Sequence, residues 1–272
     1  MKIELPEEVE LFRDRMWRRE PELRVEDASD AEHLIESVGF CATLTDARRP
    51  GPSLYIAVCG RRDAHMPRNA EGSGGQSRLD YQGRSDAARR FTAASFQRRV
   101  PLLSRCALIP HINALWGMPR NQEATKLSAD ALKILKVLRR EWEMGTSDLR
   151  AASGVHERPR FTRTMDELQL AMKVIPGEVL YAPKFTYIWT LPEGRFPEQM
   201  KQKVTRNQAV RELARAFHRC VHDAARRARQ SQRTFSVVAG LGNQALVKEG
   251  YVVRISSGLY RLANLATNGR QR

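Results

Sequence analysis

Between residues 128 and 191 the apolar positions change period, and the changes outline a small domain. Ala131, Ile134, Leu135, Leu138 and Trp142 recur at helical spacing behind Ser128, a favourable N-cap, with Asp130 in the first turn. That spacing predicts a helix reaching about Glu143, stopped by Gly145. Thr146 or Ser147 then caps a short second helix through Leu149 and Ala152, and Gly154 stands where a left-handed C-terminal turn is needed. Pro159 suits the first turn of a third helix, whose inner face is Phe161, Met165, Leu168 and Met172. A short strand at 173–175 follows, Pro176, Gly177, Ala182 and Pro183 punctuate a connection, and Phe185, Tyr187, Trp189 and Leu191 alternate with Thr186, Ile188 and Thr190. Helix, helix, helix, hairpin is the winged-helix order, in which the third helix presents its exposed side to the major groove and the wing approaches phosphates.

The flanks extend this picture. Residues 5–60 read as two helices and a strand, with Ser29 and Glu32 as a capping box ahead of Ala31, Leu34, Ile35 and Val38, and 53–58 as a buried strand. Residues 106–116 predict a helix with Leu108, Ile109, Ile112 and Leu115 on one face, closed by Pro119. Thr205 caps a helix with Val210, Leu213, Ala214, Phe217 and Val221 inward, a short helix precedes Gly250, and 251–255 with 259–262 form a second two-stranded wing around Ser257 and Gly258. Residues 61–105 break the pattern: ten Arg, no Lys, a Gly/Ser/Gln cluster at 71–77 and no period predict a loop. The expected fold is mainly α with small β wings, an α+β chain of tandem winged helix-turn-helix domains. It divides into an N-terminal α/β domain at 1–125, a winged helix at 126–197 and a second, winged-helix-like domain at 198–272.

Composition narrows the function. The 272 residues, 42% hydrophobic and 28% charged with 13 Pro and 17 Gly, suffice for a buried core and exclude collagen-like or wholly disordered chains. Lys and Arg total 46 against 31 acidic residues, a net charge of +15 that favours a polyanionic partner, nucleic acid ahead of an anionic membrane. The excess is uneven: residues 1–32 hold 6 basic and 11 acidic side chains, so the remainder carries 40 and 20. No apolar run reaches the roughly 18 to 20 residues of a membrane span, and the acidic start lacks the features of a secretory leader. The chain is therefore expected in the cytoplasm, associated with the nucleoid. Its four cysteines are far apart without a C-x-x-C pair, which argues against a disulfide framework or a zinc knuckle.

The candidate DNA contacts are Arg158, Arg160, Arg163 and Thr164 on the outward face of the third helix, beside Glu167, with Lys173 and Lys184 near the wing. Guanidinium groups there can grip phosphates or a guanine edge, against the plainer alternative of a solvated face. Tyr187 and Trp189 suit base stacking, but on an alternating strand they read more readily as wing core. His218, Cys220 and His222 mimic a metal site, yet on a helix Cys220 points about 200° from His218, so three-point ligation fails. Neither a metal nor a cofactor is expected. Nucleophile-elbow, phosphate-loop and dinucleotide signatures do not occur.

LKVLRREWEMGTSDLRAASGV, FTRTMDELQLAMKVIPGEV and KFTYIWTLPEGRFP, with ESVGFC and PGPSLYIAVCGRR before them, resemble the AlkZ-related branch of the AlkZ/YcaQ winged-helix DNA glycosylase family. The resemblance covers about two thirds of the chain, best over 106–197. It implies a tandem winged-helix fold, a double-stranded DNA partner and, for better-known members, excision of alkylated or crosslinked bases. Those enzymes position water with a Gln-hydrophobic-Gln or Gln-hydrophobic-Asp motif, which does not occur here: Gln230 and Gln232 flank Ser231, and Gln169-Leu170 is followed by Ala171. No catalytic residue is carried over, although Asp46 is a candidate carboxylate against a plain turn residue. A related domain can also bind DNA without cutting it, as a regulator does.

The family-like text stops within 70–101. With a choice of synonymous codons, 70–90 can be written one nucleotide out of frame as QKDPEASRAWTIKDEVMRRG, and 90–102 two out of frame allows text close to FYCRKLSKARPT, both family-like. Compensating frameshifts are therefore expected to have degraded this part of the N-terminal domain, leaving Leu54, Ile56 and Val58 short of packing partners. In that case the chain is a damaged remnant whose C-terminal winged helices still fold. Gene codons incompatible with the shifted readings contradict this, as does protection from limited proteolysis between Arg61 and Arg105.

Overall fold

The computed structural model describes residues 7–43, 51–62, 91–97, 100–180, 185–221, 224–225 and 235–266. They fall into two compact units, Met1–Ala70 with Thr205–Arg272, and Glu71–Val204. Both are helix-rich and carry small antiparallel sheets.

The first unit begins with α1 (Glu7–Met16), α2 (Ala28–Val38), the short strand β1 (Phe40–Ala42) and α3 (Leu54–Cys59). Ala31, Leu34, Ile35 and Val38 form the buried face of α2, as their spacing predicts. The cap lies two residues upstream of the expected Ser29: the Asp27 carboxylate accepts the Asp30 N–H at 2.8 Å, and Asp30 in turn accepts the Glu26 N–H at 3.1 Å. Residues 53–58, expected as a strand, form the N-cap and most of α3: Ser53 is extended and its hydroxyl accepts the Ile56 N–H at 3.2 Å, which starts the helix at Leu54. A six-residue apolar run fits a buried strand or a buried helix equally well. Gly60, at φ +63°, closes α3, and a Cβ there would come within 2.9 Å of Arg24.

The second unit opens with a hairpin where a loop was expected. Strands β2 (Phe91–Gln97) and β3 (Val100–Arg105) pair antiparallel, Phe91 opposite Arg105 and Ala94 opposite Leu102. Backbone pairing here does not need the alternation that the sequence lacks. Helix α4 (Ile109–Trp116) follows, with Leu108, Ile109 and Ile112 buried. Then come α5 (Ala129–Glu141), β4 (Glu143–Gly145), α6 (Thr146–Ser153), α7 (Arg158–Leu170), β5 (Ile175–Leu180) and β6 (Thr186–Thr190). The sheet runs β4-β6-β5, so the strand after the first helix closes against the far strand of the hairpin. Ile134, Leu135, Leu138, Leu149, Phe161, Met165, Leu168 and Trp189 fill one core, each such side chain contributing about 1.5–3 kcal/mol.

Three local expectations change in this unit. Gly145 caps α6 instead of stopping α5, which ends when Trp142 takes φ +66° and turns outward to 57% exposure. Thr146 makes no side-chain cap: its hydroxyl donates to the Tyr187 carbonyl at 3.1 Å and accepts from Trp189 Nε1 at 3.0 Å. Pro176 and Gly177 lie within β5 at a bulge, not in the connection. Gly154 does take the left-handed turn, at φ +69°.

The chain returns to the first unit with α8 (Arg206–Val221), β7 (Ala224–Ala225), α9 (Phe235–Lys248), β8 (Val252–Ser256) and β9 (Leu259–Leu262). Thr205 and Gln208 cap α8 reciprocally: the Gln208 N–H donates to the Thr205 hydroxyl at 3.3 Å, and the Thr205 N–H to Gln208 Oε1 at 2.9 Å. The expected short helix before Gly250 is fourteen residues long. Strand order β7-β9-β8 repeats β4-β6-β5. Arg13 Nε and Trp17 Nε1 donate to the carbonyls of Val221 and Cys220, at 3.0 and 2.5 Å, satisfying the last turn of α8. Among the described residues no helix is long and apolar enough to cross a membrane.

Candidate nucleic-acid interface

Helix α7 places the predicted contacts. Pro159 occupies its first turn, and Phe161, Thr164, Met165 and Leu168 form its buried side. Its C-terminus closes as a Schellman turn, in which the Lys173 N–H donates to the Leu168 carbonyl at 2.9 Å and the Met172 N–H to the Gln169 carbonyl at 3.0 Å. Met172 holds the left-handed position, φ +55°, usually given to glycine, and buries its side chain in return.

Arg158 and Arg163 are exposed, and among the described residues neither side chain has an ion pair or hydrogen bond. Arg160 is also exposed, but its Nε donates to Asp130 Oδ2 at the start of α5, and Lys133 Nζ stands 3.5 Å from the other carboxylate oxygen. The hydrogen bond from Arg160 holds the Asp130 carboxyl below the usual aspartate range, and the same contact raises Arg160.

Thr164 is not on this face. At 5% exposure it lies one turn from Phe161 and Leu168, with its hydroxyl donating to the Arg160 carbonyl at 2.9 Å. Lys173 is likewise turned inward, its Nζ 2.5 Å from the buried carboxylate of Glu123, which also takes Arg139 Nη2 at 2.8 Å on both oxygens. Burial pushes the Glu123 carboxyl up, and hydrogen bonds from Lys173 and Arg139 outweigh it, so its pKa lies below the usual glutamate value. Glu167 is half-buried and caps α5, accepting the Ser128 N–H and hydroxyl at 2.7 Å each. Lys184 lies outside the described residues, as do Asp46 and His222.

The remaining candidates are structural. Trp189 is buried in the core, and the Tyr187 ring packs against it at a tilt of 45°, centroids 5.3 Å apart. His218 is fully buried, its Nε2 2.6 Å from Asn243 Oδ1, while burial pushes the Cys220 thiol up. The Gln169 amide donates to the Met165 carbonyl at 3.4 Å. The sequence reading missed the other exposed cations of α5, Lys133, Lys136 and Arg140, although their spacing in LKILKVLRRE marks the side opposite Ile134, Leu135 and Leu138. With Arg158 and Arg163 they give this unit exposed guanidinium and ammonium groups suited to phosphate.

No protein-family model and no curated protein sequence matches the chain. Among solved structures it is similar to the Streptomyces sahachiroi DNA glycosylase AlkZ, with a TM-score of 0.56 at 12% identity, over 96% of this chain and 70% of that one. The resemblance to the AlkZ family read in the sequence is thus matched in three dimensions, and the chain shares the fold of a DNA glycosylase.

Proposed function

We propose that the chain binds double-stranded DNA through tandem winged helices and is related in function to repair glycosylases that act on alkylated or crosslinked bases. The observation that carries this reading is the fold shared with a DNA glycosylase over 96% of the chain. The order α5, β4, α6, α7, β5, β6 supports a winged helix at 126–197, and α8, β7, α9, β8, β9 supports a second at 198–272, while the expected domain at 1–125 is divided between the two compact units. Arg158 and Arg163 serve as phosphate contacts of α7, and Lys184 as a wing contact. A net charge of +15 supplies the long-range attraction and favours residence on the nucleoid. Incubation with alkylated duplex DNA tests the repair reading: a released base supports it, and intact duplex at saturating protein refutes it.

The missing Gln-hydrophobic-Gln or Gln-hydrophobic-Asp motif favours a second reading, a DNA-binding regulator without catalysis. A regulator prefers its operator over random duplex by about 10³ or more at physiological salt. Selection from a random duplex pool distinguishes the two.

A further inference from the structure

We propose that Arg160 reads a guanine edge and that Asp130 is the residue that positions it. The inference rests on the DNA-binding reading above and adds to it a division of labour among the cations of α7. Asp130 is almost wholly buried at the start of α5, and it engages only the Nε edge of the Arg160 guanidinium. The two terminal amino groups of Arg160 have no hydrogen-bond partner among the described residues, and half of the side chain is exposed. A carboxylate on the Nε edge restrains the rotation of the fork and leaves its Nη donors available to an outside acceptor. Those donors match the O6 and N7 acceptors that guanine presents in the major groove.

Charge separates this role from that of the neighbours. Arg158 and Arg163, which have no ion pair among the described residues, suit phosphate oxygens, whose neutralisation releases counterions. Arg160 is already neutralised by Asp130, so it adds little to counterion release, while its fixed planar donors add geometry. Lys133 shares Asp130 from the other side and keeps the carboxylate anchored when Arg160 engages a base.

The test begins with selection from a randomised duplex pool by the whole protein. Wild type enriches guanine at one position, and replacing that guanine by 7-deazaguanine weakens wild-type binding. Arg160→Ala, Arg160→Lys and Asp130→Asn each lose discrimination there by about 5- to 150-fold, with the double variant no worse than either single. The log–log salt slope of Arg160→Lys stays at the wild-type value, whereas Arg158→Ala and Arg163→Ala each reduce it by about 0.9. Urea unfolding of Asp130→Asn separates loss of the α5 first turn from loss of positioning, and Arg160→Lys leaves Asp130 intact. Salt-sensitive binding without guanine enrichment overturns this inference and leaves the DNA-binding reading standing. A slope reduced by about 0.9 in Arg160→Ala with base preference unchanged makes Arg160 a phosphate contact and also overturns it. Wild-type protein that binds no duplex at all refutes the DNA-binding reading itself, and this inference with it.

Discussion

Replacing Glu123 by Gln removes the one carboxylate between two cations, and the structure sets the size of the effect. Glu123 is buried, its oxygens taking Lys173 Nζ at 2.5 Å and Arg139 Nη2 at 2.8 Å. Breaking a buried pair by neutralising one partner costs about 3–5 kcal/mol, because the other charge stays desolvated. Two features reduce that range: Arg139 is 28% exposed and can turn to water, and a glutamine oxygen still accepts one hydrogen bond. Lys173, only 12% exposed, keeps most of the penalty, so the expected loss is about 2–3 kcal/mol. Urea unfolding measures it as a lower midpoint at unchanged slope. Adding Lys173→Met recovers part of the loss, since the stranded cation goes with it. The pH dependence follows from the lowered Glu123 pKa. Its contribution is full above the unfolded value of roughly 4.3 and declines as pH falls through the lower folded value, so the variant converges on wild type in acid. A loss below about 0.5 kcal/mol at pH 7, or a double variant less stable than Glu123→Gln, refutes the reasoning.

Other outcomes follow from single contacts. Glu167→Ala leaves the start of α5 without the acceptors of the Ser128 N–H and hydroxyl and lowers stability by about 0.5–2 kcal/mol in the same urea assay, less than additively with Ser128→Ala. Asn243→Leu removes the Oδ1 partner of Nε2 on the fully buried His218 imidazole and costs about 1–3 kcal/mol, read by thermal unfolding. Arg158→Ala and Arg163→Ala leave the unfolding free energy within about 0.5 kcal/mol of wild type and weaken duplex binding uniformly across sequences.

Helical period gave most of the second unit. Ala131 through Leu138, and Phe161 through Met172, are buried as their spacing requires, because one face of a helix against one core leaves a strong periodic trace. Short runs carry no such trace. Residues 54–59 became α3 because the hydroxyl of Ser53 before them found the Ile56 N–H, and residues 91–105 became a hairpin through backbone pairing, with 94 and 97 flanking a register shift. The candidate site was legible to the extent that a residue's role depended on its own helix. Arg158 and Arg163 are exposed as read, and Thr164 was misplaced by one helical step, since it follows Phe161 by three positions and belongs to the buried side. Lys173 and Arg160 owe their roles to Glu123 and Asp130, fifty and thirty positions away, and charge pairing at that separation leaves no mark in a local pattern.

Duplex recognition is tested most directly by fluorescence anisotropy with a plain duplex and a matched duplex carrying an abasic-site analogue, each titrated against salt. Binding to both is expected, tighter to the abasic duplex, with log affinity falling against log salt at about 0.9 per phosphate contact. Equal, salt-sensitive affinities for the two duplexes contradict repair-type recognition and leave a general DNA-binding module. No binding at low salt contradicts the account altogether.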